Sequence, residues 1–286
     1  MKQTLLWMTG TILSFTLMAL IGRELSGQIN TFEVLFFRSL LGLIVVTIII
    51  LCSKKIQYFK TTQVKGHVIR NIFHFLGQYA WFIGLGILPL AQVFAIEFTV
   101  PFWTAIIASV FLKERLTLVK VSAIIVGFIG VLMIVQPSLA FFDNASLIVL
   151  GAAICYGFAH SGTKLLAKHN HPFTILFCMC LVQLPISGVL MIPHWTNPTM
   201  TQWMGIIIIA ITALSAHFCM AKAMLTSTVT TVVTLDFMRL PLIAIIGFFL
   251  YQEPFGLLAI TGSGIILGAM FLNFQPPKIN KNNRGT

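Results

Sequence analysis

Three charged residues stand inside otherwise apolar stretches and are the first candidates for chemistry. Glu97 lies within AIEFTVP, and Asp236 and Arg239 lie within VTTVVTLDFMRLPLIAIIGFFL. A charged side chain in a membrane-spanning segment costs several kcal/mol, so each one must be paired or used. Asp236 and Arg239 are three residues apart and share a helix face, where they can pair. The alternative is that Arg239 binds the carboxylate of a zwitterionic substrate.

The composition is that of an integral membrane protein. Of 286 residues, 58% are hydrophobic and 9% are charged, whereas a soluble domain carries about 25% charged residues. The net charge of +11 comes from short Lys and Arg clusters between apolar runs. This distribution argues against nucleic acid and favours contact with an anionic membrane leaflet. The five cysteines have neither zinc-ligand nor disulfide spacing, which predicts small apolar fillers.

Ten apolar runs are long enough for membrane-spanning helices, each of which needs about 20 residues. The three charged residues named above lie within two of these runs. The first run follows Lys2 and continues to Gly22 without an Ala-x-Ala site, which predicts a retained helix rather than a cleaved signal peptide. The predicted spans are residues 4–22, 32–52, 67–87, 89–112, 118–136, 146–167, 172–192, 202–221, 229–250 and 256–273.

The distribution of Lys and Arg predicts that both termini are cytoplasmic. With that orientation, only Arg23 falls in an outer segment, and Arg38 and Arg239 fall within spans. The inner segments hold the other fifteen, which are Lys2, Lys54, Lys55, Lys60, Lys65, Arg70, Lys113, Arg115, Lys120, Lys164, Lys168, Lys222, Lys278, Lys281 and Arg284.

An internal repeat relates the two halves. A shift of 139 residues places Glu97-Phe98 on Asp236-Phe237, Glu114 on Glu253 and Gln136-Pro137 on Gln275-Pro276. Each unit has five spans, an odd number, so the second unit enters the membrane from the opposite side. Inverted repeats of this kind are typical of secondary transporters, whose substrate site lies near the midplane between the halves.

The repeat places the two acidic residues near the membrane centre. Glu97 lies eight residues past Pro89, or about 12 Å deep along a helix, and Asp236 lies seven past Val229, or about 10 Å. The two helices enter from opposite faces, so the carboxylates approach each other. Arg239 has no counterpart in the first unit, because Val100 occupies the matched position.

Several motifs now give a family resemblance. FFRSLLG at 36–42, GILPLAQVFAIEFTVPFWTAIIASVFLKERLTL at 86–118 and GFIGVLMIVQP at 127–137 resemble the EamA branch of the drug/metabolite transporter superfamily. The pattern is also similar to that of S-adenosylmethionine uptake carriers. The resemblance implies an all-α membrane protein with ten transmembrane helices in two inverted five-helix repeats. The expected units are residues 1–137 and 146–276, followed by a cytoplasmic tail at 277–286.

The resemblance also implies a central cavity lined mainly by spans 3, 4, 8 and 9, with contributions from spans 1 and 6. Helical periodicity places polar side chains on one face of two of these spans. They are Arg70, His74, Gln78 and Trp81 in span 3, and Tyr156, His160 and Lys164 in span 6. Such faces line a cavity or form interhelical hydrogen bonds. Arg70 and Lys164 could instead extend to the cytoplasmic interface.

Glu97 is the leading site residue, followed in sequence by Phe98 and Trp103. It is a candidate for binding a cationic substrate group or a proton, with a hydrogen bond to a neighbouring helix as the structural alternative. His217 is a further cavity candidate or a packed core histidine. Arg38 is expected to extend outward or to pair with an acid.

Pro101 and Pro241 follow the matched carboxylates and predict interruptions of spans 4 and 9. Proline removes a helical hydrogen bond and frees a carbonyl one turn earlier. Such kinks can act as hinges in transport or be static bends.

The resemblance, supported by the inverted repeat, implies a secondary carrier of a small polar organic metabolite, amino-acid-like or S-adenosylmethionine-like. It would work in the bacterial inner membrane by alternating access, with a proton or a counter-substrate as a candidate coupling partner. The sequence has no ATP-binding GxxxxGK[ST] motif, HExxH motif or acid cluster, so we expect no cofactor, metal or catalytic residue. An exporter of the same fold is the alternative, and an intramembrane enzyme is less favoured.

Overall fold

The computed structural model describes residues 2–88, 90–136, 144–251 and 256–273, and all regular structure in these ranges is helical. The first half contains α1 (Lys2–Leu25), α2 (Thr31–Cys52), α3 (Val64–Ile87), α4 (Leu90–Glu97), α5 (Val100–Phe111) and α6 (Leu118–Val135). The second half contains α7 (Asn144–Ala167), α8 (Pro172–Met191), α9 (Met200–Thr226), α10 (Val229–Leu235), α11 (Arg239–Tyr251) and α12 (Leu257–Asn273). Short 3₁₀ segments occur at Ile56–Phe59, Ile192–His194 and Asp236–Met238.

The described helices confirm a multi-pass all-α membrane protein. Eight of the ten predicted spans are helical segments long and apolar enough to cross a bilayer. They are Lys2–Leu25, Thr31–Cys52, Gln92–Phe111, Leu118–Val135, Asn144–Ala167, Pro172–His194, Met200–Thr226 and Val229–Leu250. A shorter apolar stretch, Leu257–Ala269, lies in α12. The remaining predicted span is α3, a 24-residue helix that carries the polar stripe.

Some residues used in the sequence argument lie outside the described ranges. They are Pro89, Pro137, Glu253, the pair Gln275-Pro276, and residues 277–286.

The helix boundaries repeat at the 139-residue shift. The shift carries α5 onto residues 239–250, and α11 covers Arg239–Tyr251. It carries α3 onto residues 203–226, and α9 ends at Thr226. The most extensive interhelical packing is also symmetric, because α1 packs on α9 and its image α7 packs on α3. The helices of the two halves are therefore packed against each other throughout the bundle, including α2 on α8 and α6 on α12.

Glycine allows the close crossing of α6 and α12. A Cβ atom at Gly130 would stand 2.7 Å from the Gly262 carbonyl oxygen, and one at Gly262 would stand 2.7 Å from the Gly130 carbonyl oxygen. Small residues at such crossings let two backbones approach, which is how helices associate where no water drives them together.

Both interrupted helices break beside their carboxylates. In the first half, α4 ends at Glu97 and α5 begins at Val100, with Pro101 in its first turn. In the second half, the 3₁₀ segment Asp236–Met238 separates α10 from α11, and Pro241 lies in the first turn of α11. Proline is tolerated in a first turn because the N–H it lacks has no helical partner there. Each proline thus lies at the start of the second helical piece, and the preceding α-helix ends four residues before Pro101 and six residues before Pro241.

Candidate functional site

The three charges named first in the sequence form one buried cluster between the two helix breaks. Arg239 Nη2 donates to Glu97 Oε1 at 2.5 Å and lies 2.9 Å from Asp236 Oδ2. Glu97 ends α4 in the first half, whereas Asp236 and Arg239 flank the break in the second half. The pair Glu97–Arg239 therefore joins the two halves at the point where both helices are interrupted.

Aromatic rings surround the Arg239 guanidinium, which is 3% exposed. Its central carbon lies 5.5 Å from the ring centre of Phe15, 5.6 Å from that of Phe94 and 5.3 Å from that of Phe98. Aromatic faces attract cations at this range. Two carboxylates and three rings thus compensate the buried charge of Arg239 from several sides.

Glu97 accepts a second hydrogen bond, from Trp81. The indole Nε1–H donates to Glu97 Oε2 at 2.7 Å. Each oxygen of this carboxylate therefore has a donor, one charged and one neutral. These two bonds fix the orientation of the carboxylate, since α3 and α11 hold it from different helices.

A second group of hydrogen-bonded polar side chains joins α3, α8 and α9. Gln183 Nε2 donates to His74 Nδ1 at 2.8 Å and to the Asn71 carbonyl at 3.4 Å. His74 Nε2 lies 3.1 Å from His217 Nε2. With Gln183 as the donor to Nδ1, His74 carries its proton on Nε2 and donates to His217.

These groups enclose a small cavity at the centre of the bundle. Its volume is about 40 Å³, and a water needs about 10–15 Å³ measured in this way. The cavity is lined by Phe15, Met18, His74, Gln78, Trp81, Glu97, Phe98, Val100, Pro101, Tyr156, His160, His217, Met220, Val233, Asp236 and Arg239. The structure therefore shows a small, partly polar chamber formed by helices of both halves.

Most of the residues named from the sequence meet at this cavity. Ten of the eleven predicted cavity residues line it, as does Pro101. Trp103 does not line it, and its indole donates instead at 3.2 Å to Oγ1 of Thr99, the residue that precedes α5. Pro241 also lies away from the lining.

The sequence reasoning missed the apolar part of the lining. Phe15, Met18, Met220, Val233 and Val100 carry no signal that separates them from core residues. For Phe15, the only available signal was its place in a span that the family resemblance assigns to the cavity.

Two further cations, Arg38 and Arg70, are buried, whereas Lys164 is partly exposed. Arg70 donates through Nε to Thr163 Oγ1 at 2.9 Å and is 3% exposed. Lys164 donates to the carbonyls of Met224 and Ser227, where α9 ends, and a cation is favourable at that end of a helix. Arg38 is also 3% exposed and has no ion pair with any carboxylate among the residues that the structure describes.

The same described ranges contain no group of three His, Cys, Asp or Glu side chains that is arranged to hold a metal ion. The groups facing the cavity are hydrogen-bonding, charged and aromatic. They are suited to recognising a polar organic molecule by contact.

Fold and site together define a multi-pass helical membrane protein whose halves enclose a polar chamber. The chain belongs to the EamA-like transporter family, since the family's sequence profile matches residues 2–136 and 144–275. The match confirms the resemblance to the EamA branch of the drug/metabolite transporters.

Named relatives are transporters of different compounds. An S-adenosylmethionine uptake transporter of Rickettsia bellii is 24% identical over 273 residues, which are 95% of this chain and 94% of that protein. A riboflavin transporter of Vibrio cholerae is 27% identical over 231 residues, covering 80% and 78% of the two chains. A pseudopaline exporter of Pseudomonas aeruginosa is 23% identical over 258 residues, or 90% of each chain. The relatives therefore share a transport role and differ in substrate and direction.

A solved crystal structure has the same fold. It superposes with a TM-score of 0.79 over 96% of each chain, at 15% sequence identity. At this identity the likeness supports the arrangement of helices alone.

Proposed function

We propose that the protein is a secondary carrier that moves a small polar organic metabolite, amino-acid-like or S-adenosylmethionine-like, across the bacterial inner membrane. Transport proceeds by alternating access between residues 1–137 and 146–276, which act as two inverted five-helix units. Both termini are cytoplasmic in this proposal. The observation that carries it is the polar chamber at the meeting point of two interrupted helices, one from each half.

Unpartnered polar atoms at the chamber support a ligand site. Gln78 Oε1, His160 Nδ1 and Asp236 Oδ1 are buried and have no hydrogen-bond partner in the protein. All three residues line the chamber. Buried polar atoms are nearly always hydrogen-bonded, so a cluster of exceptions is best explained by a ligand that supplies the missing bonds.

The charges at the helix breaks favour a cationic group of the substrate. Glu97 and Asp236 carry two negative charges and Arg239 carries one positive charge, so the ionised cluster has a net charge of −1. The rings of Trp81, Phe98 and other aromatic residues border the same space. A carboxylate beside aromatic faces suits an ammonium or sulfonium centre, which both kinds of group attract.

The chamber must enlarge for transport. Its 40 Å³ is far below the roughly 300 Å³ or more of pockets that hold small organic ligands. The proposal therefore requires a second state in which the chamber is larger. The breaks before Pro101 and Pro241 are the proposed hinges, because tighter i→i−3 hydrogen bonds interrupt the α-helical pattern there.

Counterflow in proteoliposomes tests the proposal. Vesicles loaded with unlabelled amino acids, S-adenosylmethionine, nucleosides or riboflavin are mixed with a trace of the same labelled compound, with and without a pH gradient. We expect transient, saturable accumulation of an amino-acid-like or S-adenosylmethionine-like compound. A response to the pH gradient would identify proton coupling. Failure of the whole panel would refute the substrate class.

The relative named as an exporter makes export the second candidate function. Right-side-out and inverted membrane vesicles separate the two directions. Energised net uptake into right-side-out vesicles supports import, and energised net uptake into inverted vesicles supports export.

A further inference from the structure

Two buried guanidinium groups have no counter-charge in the part of the chain that the structure describes. Arg38 on α2 and Arg70 on α3 are each 3% exposed. Arg70 donates only to neutral oxygens, Thr163 Oγ1 at 2.9 Å and Asn71 Oδ1 at 2.6 Å. Arg38 Nη1 is buried and has no hydrogen-bond partner.

The acidic side chains that could neutralise these cations make other contacts. Glu97 and Asp236 contact Arg239. Glu114 pairs with Lys120 at 2.8 Å. Glu33 accepts from the Thr196 hydroxyl at 2.8 Å and from its backbone N–H. None of these carboxylates forms an ion pair with Arg38 or Arg70.

Uncompensated charge is costly at this depth. A buried cation without a partner opposes folding, whereas removal of such a charge is often neutral or stabilising. Polar groups held at a cost to stability are typical of binding sites, where the ligand supplies the missing interaction. The charge of Arg38 also acts on Arg70, so the two guanidiniums together give a local charge of +2.

Contacts link Arg70 to the chamber. Arg70 donates to Asn71 Oδ1, and Gln183 joins the Asn71 carbonyl to His74, which lines the chamber. Arg38 lies on α2, which packs against α3 and α8, the helices that carry Arg70 and Gln183. The two cations are therefore on the side of His74, whereas Glu97, Asp236 and Arg239 form the charged cluster at the helix breaks.

We propose that Arg38 and Arg70 form an anion site that binds the carboxylate of the transported substrate when the chamber opens. This inference rests on the proposed carrier function and narrows its substrate to zwitterionic metabolites. The cationic centre of the substrate faces Glu97 and Asp236, and its carboxylate faces the two guanidiniums. Arg239 has a different role, because its charge is already compensated by two carboxylates.

The test uses pairs of compounds that differ only in the carboxylate. S-adenosylmethionine is compared with its decarboxylated form, and L-methionine with 3-(methylthio)propylamine, as competitors and as substrates in counterflow. The variants are Arg38→Gln and Arg70→Gln. Lys65→Gln is the matched control, because it removes an exposed positive charge from the same helix as Arg70.

The expected result is a change in selectivity. Wild type and Lys65→Gln prefer the carboxylate compound, and each arginine variant loses roughly 10- to 100-fold of that preference, as expected for a hydrogen bond to a charged group. Equal handling of both compounds by wild type, or unchanged preference in both arginine variants, would overturn the anion site.

Thermal unfolding of the purified protein provides a readout that does not depend on transport. Acetate is compared with chloride at constant ionic strength. We expect acetate to raise the Tm of wild type above its value in chloride, and this difference to vanish in both arginine variants. We also expect Arg38→Gln in chloride to be at least as stable as wild type, since it removes an unpaired buried charge.

The two assays separate the two proposals. A specific acetate effect without transport of any compound keeps the anion site and refutes the proposed substrates. Transport of the amine and carboxylate compounds at equal rates keeps the carrier and refutes the anion site. Equal Tm values in acetate and chloride for wild type also count against a carboxylate site.

Discussion

Replacing Arg239 by glutamine should destabilise the protein strongly. The substitution leaves Glu97 and Asp236 close together in the apolar interior, without the cation that both of them contact at 2.5 and 2.9 Å. Removing one partner of a buried ion pair costs about 3–5 kcal/mol. The loss of three ring contacts around the guanidinium adds to this cost.

Neutralising one carboxylate should cost less. In Glu97→Gln, Arg239 keeps Asp236 as its partner and the cluster becomes electrically neutral. The loss is then that of a charged hydrogen bond, about 1.5–3 kcal/mol. The expected order of stability is wild type, then Glu97→Gln, then Arg239→Gln. The double variant Glu97→Gln/Arg239→Gln should lose less stability than the sum of the losses of the two single variants. It contains one unpaired carboxylate, whereas Arg239→Gln contains two.

Unfolding by SDS in mixed micelles, followed by tryptophan fluorescence, measures these differences. Arg115→Gln is the matched control, because it removes an exposed charge from the loop between α5 and α6. If Arg239→Gln unfolds at the same SDS fraction as Arg115→Gln, the charged cluster does not hold the two halves together and the reasoning fails.

Two further predictions concern packing and the orientation of Glu97. Gly262→Ala should destabilise the protein by about 1–3 kcal/mol, because its Cβ would meet a carbonyl oxygen at 2.7 Å. Gly264→Ala is the control, since a Cβ there has open space around it. Equal SDS midpoints for these two variants would contradict the prediction. Trp81→Phe should keep the fold and slow substrate exchange roughly tenfold, since Glu97 Oε2 loses its hydrogen-bond donor. Trp7→Phe is the control, and equal exchange rates for the two variants would show that the bond from Trp81 to Glu97 is unimportant.

Much of the fold could be predicted because membrane helices are long apolar runs. The 139-residue shift also located the two interrupted spans, and the helix boundaries repeat at the same shift. The breaks themselves begin at Phe98 and Asp236 rather than at the prolines. Sequence shows where a helical hydrogen bond is missing, whereas the exact end of the helix depends on contacts with neighbouring helices.

The contacts of the site were less accessible from sequence. Asp236 and Arg239 were expected to share a helix face. The contact of Arg239 with Glu97 joins residues 142 positions apart. The repeat does not predict this contact, because Val100 occupies the position in the first unit that matches Arg239. Phe15 looked like any apolar residue of its span. Arg38 was expected to extend outward or meet an acid, and its burial without an acidic partner required coordinates.

The central claim is that the substrate passes through the chamber between the helix breaks, and filling that chamber tests it most directly. Val233→Phe adds bulk to a lining residue that is 3% exposed, in a space of only 40 Å³. Val119→Phe adds the same bulk to an exposed position on α6. The measurement is the initial rate of counterflow for both variants, purified as monodisperse protein and reconstituted at equal density. We predict near-complete loss of counterflow in Val233→Phe and a wild-type rate in Val119→Phe; equal rates in the two variants would contradict the account.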